Sequence, residues 1–268
     1  MNAPLTLKEQ IVARMEELDI HHAKKSLGQN FLISSYIVNK IVDAVKQLNP
    51  LFVVEVGPGL GSLTDTLGLY FKNTLLIEMD SKFSNYWQKH GHKVVEVDAL
   101  RWNWNDFEFP TQTCLVSNLP YQISSRIVID RSQGPNSIES MVLMFQKEVA
   151  ERICAKPRTA DYGFLTLAAQ AFWEVSEVVD ASPADFFPSP KVQSRVLRFR
   201  RRKDGPDAGF VAFSKQAFTN RRKLFIKNFS DNKDKMLLIM NNLGLNDKSR
   251  AEEIPLELYL KIYNQWKQ

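Results

Sequence analysis

Four short stretches carry side chains whose types and order point to chemistry. The first is Gly57-Pro58-Gly59-Leu60-Gly61, directly after the apolar run FVVEV. Glycine lets a backbone come close to a ligand, and the G-x-G-x-G spacing departs from the G-x-G-x-x-G of dinucleotide sites, so little in it argues for a pyrophosphate. The second is Glu78, which closes the run TLLIE, where an acid can accept from ribose hydroxyls. The third is Asp98, ending KVVEVD: an acceptor for the amino group of adenine, and equally the residue type of a turn or helix cap. The fourth is Asn118-Leu119-Pro120-Tyr121. Pro120 has no N–H and fixes the chain so that the Asn118 amide oxygen and the Leu119 carbonyl can face one point. A purine amino group is a weak nucleophile because its lone pair is delocalised. Two acceptors on its hydrogens favour a pyramidal nitrogen and stabilise the positive charge that develops as it attacks an alkyl cation. Tyr121 adds a ring on which a base can stack. In this order the stretches describe an adenosine pocket without a phosphate cradle.

These groups need a sheet whose strands all end on one side. FVVEVG (52–57), TLLIEMD (74–80), KVVEVDA (93–99), TCLVSN (113–118) and SMVLMF (140–145) are short and rich in β-branched or large apolar residues, and read as buried parallel strands. Helical spacing in YIVNKIVDAVKQL (36–48), SLTDTLGLY and SSRIVIDRS supplies the crossovers of a doubly wound α/β fold, and QKEVAERI (146–153) has the charge spacing of a solvated helix face. FLTLAAQAFW after Gly163 is a further helix, and WEVSEVVDAS and SRVLRFRR suit a sheet edge. At KDGPDAG (203–209) charge, Gly and Pro break the pattern, and only helical patterns follow. The reading is a catalytic α/β domain over 1–203 and a small all-helical domain over 204–268.

With 268 residues, 44% apolar, the chain can bury a substantial core. No apolar run approaches the ~18 residues of a membrane span. Four acids among the first twenty residues (Glu9, Glu16, Glu17, Asp19) disfavour a targeting peptide, so no membrane and a cytoplasmic location are expected. Cys114 and Cys154 lie in apolar segments without ligand spacing, and His21 and His22 lack partners, so no metal is expected. The net charge of +5 is uneven: between Lys191 and Lys227 twelve Lys and Arg face two acids. That stretch is either a solvated face or a polyanion footprint.

Taken together, KKSLGQNFL, VVEVGPGLGSLT, IEMD, VDAL, SNLPYQISS, MFQKEVAERICAKP, YGFLTLAAQ, FFPSPKVQSRV and NRRK, in that order from about Lys24 onward, resemble the KsgA/RsmA family of rRNA adenine N6,N6-dimethyltransferases. The resemblance implies a Rossmann-like class I methyltransferase that uses S-adenosylmethionine. Its substrate would be two adjacent adenines near the 3′ end of small-subunit (16S) rRNA, within an assembling ribosomal particle, and the enzyme a monomer. Carried over position by position, Asn30, Leu32, Gly57, Glu78, Asp98 and Asn118 would contact the cofactor, with Gly59 in the same loop. Tyr121 and Phe186 would sandwich the target adenine, and Asn118 and the Leu119 carbonyl would orient its N6. Lys191, Arg221, Arg222 and Lys223 would hold RNA phosphates. Leu in NLPY and the segment MFQKEVAER weigh against the related large-subunit, macrolide-resistance branch; a non-catalytic RNA-binding relative and, from fold alone, a nicotinamide dehydrogenase are the other readings. The chain departs from the family pattern in Val97 before Asp98, where Gly is expected, and in the extra aromatic Phe187.

Overall fold

The computed structural model describes residues 5–21, 29–221 and 223–268. In chain order the elements are α1 (Leu7–Glu17), β1 (Phe31–Leu32), α2 (Ser35–Lys46), β2 (Phe52–Val56), α3 (Thr64–Gly68), β3 (Thr74–Glu78), α4 (Ser81–Lys89), β4 (Val94–Glu96), β5 (Thr113–Asn118) and α5 (Tyr121–Ser132). Then come β6 (Ile138–Gln146), α6 (Lys147–Ile153), α7 (Phe164–Gln170), β7 (Trp173–Ala181), β8 (Phe186–Phe187), β9 (Ser194–Arg201), α8 (Gly209–Ala217), α9 (Lys233–Asn242) and α10 (Leu256–Trp266), with 3-10 turns between.

The main sheet has seven strands in the order β4-β3-β2-β5-β6-β9-β7. The five apolar runs form its parallel part, β2 to β6, and β9 pairs antiparallel with β6, placing the two runs of mixed polarity at the edge as expected. The order reverses between β2 and β5, and the carboxyl ends of strands at such a switch point are where a ligand fits. Strands β2, β3, β5 and β6 are buried along most of their length because helices cover the sheet: α2 presents Ile37, Val38, Ile41, Val42 and Val45 to one core cluster together with Val53, Val116 and Met144. A two-stranded ribbon, β1 with β8, pairs Leu32 with Phe186 and Phe31 with Phe187.

The chain divides into two compact units. One comprises residues 1–127, 134–147 and 176–200 and carries most of the sheet; the other comprises 128–133, 148–175 and 201–268 and is mostly helical. The helical unit thus takes in α6 and α7 as well as everything after residue 201. Its core is aromatic: Phe210, Phe213, Phe225, Phe229, Tyr259 and Tyr263 are buried, with Phe213 and Phe229 centroids 5.4 Å apart. Buried Asn228 links its segments, donating from Nδ2 to the Ala217 carbonyl at 2.8 Å and accepting from the Asn220 N–H at 3.0 Å.

The glycine turn after β2 is held from two sides. Gly57, Gly59 and Gly61 have φ of 70°, 51° and 84°, values that L side chains rarely adopt. Trp87 of α4 donates from Nε1 to the Gly59 carbonyl at 2.9 Å, and Arg14 of α1 donates from Nη1 to the Leu60 carbonyl and to Asp65 Oδ2 at 3.0 Å. A Cβ on Gly61 would collide with the Arg14 guanidinium and lie 2.5 Å from the Trp87 ring, whereas a Cβ on Gly57 meets nothing within 4 Å. Gly57→Ala should therefore cost only the backbone strain, ~1–2 kcal/mol, and Gly61→Ala that strain plus overpacking of a further ~1–3 kcal/mol. Urea unfolding of the two variants checks the order; equal losses would mean that the clamp on Gly61 is soft.

Candidate active site

The turn, the ends of β3, β4 and β5, and residues 29–31 line one cleft of about 930 Å³, open to solvent. Its wall includes Asn30, Gly57, Gly59, Glu78, Asp98, Asn118, Leu119 and Tyr121, so eight of the residues singled out from the sequence meet at one place.

Glu78 ends β3 almost wholly buried. Its Oε1 accepts from the Asp80 N–H at 2.8 Å and its Oε2 from the Gly59 N–H at 3.2 Å, so the acid and the glycine turn hold each other. Burial raises its carboxyl above the ordinary range against the lowering effect of these N–H groups. Each oxygen keeps a lone pair for a hydroxyl donor. Asp98 lines the cleft, and its Oδ1 accepts from the Leu100 N–H at 2.9 Å as a turn cap. Its Oδ2 lies 3.5 Å from Nε of the exposed Arg101.

At the end of β5, Asn118 Nδ2 donates to the Asn30 carbonyl at 3.1 Å. That bond uses the amide's donor side and fixes its rotation, leaving Oδ1 as the acceptor. One residue earlier, Ser117 Oγ donates to the Val56 carbonyl and ties the ends of β5 and β2 together. Tyr121 begins α5 half-buried, with its hydroxyl 2.8 Å from Ser194 Oγ. Burial raises that phenol above its ordinary value, so it is a neutral hydrogen-bonding group at physiological pH.

Two residues carried over from the family pattern do not line the cleft. Leu32 is 0% and Phe186 2% exposed; both pack in the apolar cluster against α2. Alternation explains it: in a two-residue strand one side chain must face the core, and in β8 that is Phe186, while Phe187 is 39% exposed. Leu32 can meet a ligand only through its backbone, and Phe186 can cover a base only if the β1–β8 ribbon opens.

The basic stretch is also not one patch. Arg195 pairs with Asp180 at 2.5 Å and Glu177 at 2.7 Å; Arg198 donates to Ser176 and Gln47; Arg201 lies 4.1 Å over the Trp173 ring; Arg202 donates to the Gln170 carbonyl. These arginines seal the sheet edge. Arg221 is half-committed, with Nε 3.1 Å from Glu252 Oε2 and Nη2 donating to the Thr159 carbonyl at 3.1 Å. Lys191 and Lys223 are exposed, in different units, and Arg222 lies outside the described residues, as does His22. Cys114 is a packing residue of β5 whose thiol is pushed up to about 12 by burial. Among the described residues no cluster of His, Cys, Asp and Glu could hold a metal, and no helix is long and apolar enough to cross a membrane.

Sequence reasoning passed over Glu55 and Phe31. Glu55 sits inside β2, 3% exposed, on the cleft wall, with Oε2 lacking a hydrogen-bond partner. The signal was present: a lone acid in an otherwise apolar strand, FVVEV. Burial, reinforced by Asp65 and Glu78 and opposed by Thr64, pushes its carboxyl up to about 8. Phe31 would come within 3.3 Å of a Cβ on Gly59, so any side chain there would crowd its ring edge. Glu55, Glu78 and Asp98 line the cleft with carboxyl oxygens that suit a hydroxyl-bearing ligand.

A family model for ribosomal RNA adenine dimethylase matches residues 20–268. The chain is 44% identical over 265 residues to ribosomal RNA small subunit methyltransferase A of Bdellovibrio bacteriovorus, covering 96% of each chain. It is 34% identical over 247 residues to the protein of that name from Malacoplasma penetrans, covering 90% of each. Among solved structures it is similar to a dimethyladenosine transferase from Plasmodium falciparum, with TM-score 0.76 and 24% identity over 88% of this chain and 97% of that one. It is also similar to the 23S rRNA methyltransferase ErmE, with TM-score 0.66 and 24% identity over 89% of this chain and all of the other. These likenesses bear out the class I methyltransferase fold.

The raised carboxyl of Glu55 gives a pH dependence with a definite sign. Unfolding returns it to the ordinary range near ~4.3, so the stability gained by its protonated form is complete below that value and is lost as pH rises through about 8. In the ligand-free protein Glu55→Gln should melt close to the parent at pH 4–5 and increasingly above it towards pH 9. Parallel melting curves across that range would mean that Glu55 is already ionised in the native state.

Proposed function

The chain belongs to the ribosomal RNA adenine dimethylase family, and on that premise we propose that its cleft takes the adenosine end of the methyl donor and brings a second adenine, from RNA, against Asn118. It is an enzyme that transfers methyl groups from S-adenosylmethionine to N6 of adenine in small-subunit ribosomal RNA. The finer reading is that two adjacent adenines near the 3′ end are each dimethylated within an assembling ribosomal particle, by a monomer working in the cytoplasm.

The observation that carries the reading is the bond from Asn118 Nδ2 to the Asn30 carbonyl, which leaves an oriented acceptor beside Tyr121 in the same cleft as Glu78 and the glycine turn. The cleft also fits the cofactor on its own evidence: a glycine turn at positive φ crowded by Phe31, an acid whose oxygens retain lone pairs for ribose hydroxyls, and a buried carboxyl with one oxygen unpartnered. Gly57 and Gly59 would bring backbone up to the cofactor, Asn30 and Leu32 would meet it through the chain at 30–32, Glu78 would hold the ribose, and Asp98 the adenine amino group. S-adenosylmethionine, when bound, supplies an electrophilic methyl group.

The chain's own work is then positional and electrostatic. Asn118 Oδ1 and the Leu119 carbonyl accept the two N6 hydrogens of a flipped adenine, so that the nitrogen lone pair points away from the ring and the positive charge of the attack develops against two dipoles already in place. Tyr121 supplies the stacking face, its ring fixed by Ser194. Phe186 adds a second face once β8 moves outward. The alkylated nitrogen is acidic and loses its proton to water, so no histidine or lysine is required. Lys191, Lys223 and Arg222 serve RNA phosphates, and the division into a catalytic part over 1–203 and a docking part over 204–268 follows the same split of tasks.

Methylation assays on small-subunit rRNA test the site. Tyr121→Phe should keep most of kcat and Tyr121→Ala lose much of it, while Asn118→Ala should fall by roughly 10²–10³-fold, as when an oriented transition-state dipole is removed; equal, severe loss in both Tyr121 variants would move the role from ring to hydroxyl. Glu78→Ala should weaken S-adenosylhomocysteine binding by ~1–3 kcal/mol in calorimetry with RNA affinity little changed. Undiminished affinity would take Glu78 out of the cofactor site.

A further inference from the structure

One aromatic ring of the catalytic unit has no task in the methyl transfer described so far. In the β1–β8 ribbon Phe31 stands opposite Phe187, and Leu32 opposite Phe186. Directly opposed residues of an antiparallel pair project to the same face, with Cβ atoms ~4.5–5.5 Å apart, and successive residues project to opposite faces. The two pairs therefore divide the ribbon. Leu32 and Phe186 enter the apolar cluster against α2, and Phe31 and Phe187 share the other face. On that face Phe31 is buried in the cleft wall, edge-on to Phe83 with ring centroids 6.1 Å apart. Phe187 stays 39% exposed.

The chain around Phe187 is tied at both ends to the groups that meet the substrate. On the ribbon side, the Ile33 N–H donates to the Asp185 carbonyl at 2.8 Å, and the Asn30 carbonyl accepts from Asn118 Nδ2 at 3.1 Å. At the far end of the loop after β8, Ser194 Oγ lies 2.8 Å from the Tyr121 hydroxyl, and the Lys147 N–H donates to the Gln193 carbonyl at 2.9 Å. Between these anchors Pro188, Ser189, Lys191, Val192 and Gln193 are exposed. The loop thus begins at an exposed ring on the cleft side of the ribbon, carries one cation, and ends on the ring that stacks the target base.

We propose that Phe187 is a stacking platform for the RNA nucleotide next to the flipped adenine, outside the cleft in which Asn118 and Tyr121 hold the target. The proposal rests on the rRNA-substrate reading above. Flipping takes a base out of the stack and leaves a bare face on its neighbour. An aromatic side chain replaces the lost partner whatever the neighbouring base is, because every base has a π-face. Lys191 in the same loop offers a cation to the phosphate beside it, so ring and charge match the two halves of one nucleotide. Phe187 touches neither N6 nor the methyl donor: it is a positioning residue for the strand, with a part distinct from that of Phe186 on the opposite face of the ribbon.

The test uses full-length Phe187→Ala, Phe187→Leu and Phe187→Tyr. An rRNA fragment that keeps one adenine of the target pair carries the fluorescent base 2-aminopurine at that position or at either neighbour, and is bound in the presence of S-adenosylhomocysteine. Stacking on a ring quenches the probe, so at one neighbouring position it should be dim with the parent and Phe187→Tyr and bright with the Ala and Leu variants. On unmethylated small-subunit rRNA the Ala and Leu variants should raise KM by roughly 5–100-fold, the loss of one base–aromatic stack, with the change in KM rather than kcat and with parent-like melting and S-adenosylhomocysteine affinity. Leu keeps the apolar bulk without the ring, so a loss confined to Ala would report packing and overturn the proposal. A signal that depends on Phe187 only at the target position also overturns it, making the ring a second face for the flipped base. So does a loss seen with assembled subunits but not with naked rRNA, which would make the occupant a ribosomal protein. Parent-like KM and fluorescence in the Ala variant of an active enzyme defeat this proposal alone, whereas a parent that fails to methylate rRNA defeats the rRNA reading and this one with it.

Discussion

Three glycines at positive φ must follow β2 for any ligand to approach its end, and that turn is held by side chains from helices on both sides of it in sequence. Trp87 takes the Gly59 carbonyl, Arg14 the Leu60 carbonyl, and Glu78 the Gly59 N–H. The turn's polar groups are thus satisfied by protein before a ligand arrives, and its shape is fixed in advance. Glu78 shows the consequence: the acid proposed to meet the ribose hydroxyls is also the one that pins the turn, so the two are tied to each other. Helix α1 belongs to this arrangement. Arg14 lies 5.1 Å from the Trp87 ring, closing a small shell around the turn.

The reacting end of the cleft follows the same economy. Asn118 is fixed through the amide's donor side by Asn30, and Tyr121 through its hydroxyl by Ser194, so the groups proposed to meet the substrate are those left free by these bonds: an oxygen and a ring face. Reorganisation on binding is small when dipoles are already aimed, which is the basis of electrostatic catalysis without a general base.

Charge is divided between the units. The cleft is lined by three carboxyl groups, one of them buried without a full set of partners. Exposed cations of the helical unit include Arg158, Lys223, Lys248 and Arg250. The arginines of β9, though adjacent in sequence to that surface, are spent on the sheet edge against Asp180, Glu177 and the Trp173 ring.

Strand runs, the glycine turn, and the acids and amide at successive strand ends were legible in the sequence, because period, chain order and residue type together constrain which groups can end up at one edge of a parallel sheet. The motif order likewise carried the family. What the sequence left undecided was orientation and partnership. It could not say that Leu32 and Phe186 face the core, since in a two-residue ribbon the face is chosen by what lies beneath, here α2. It left Asp98 between cap and ligand, and the structure shows the cap through Oδ1, with Oδ2 3.5 Å from Arg101 at the cleft wall. A linear count of twelve cations between 191 and 227 could not separate arginines paired across the sheet edge from lysines left in solvent. Nor could it set Phe187 on the same face as Phe31, because that pairing joins two distant stretches of chain, and only the folded backbone brings them together.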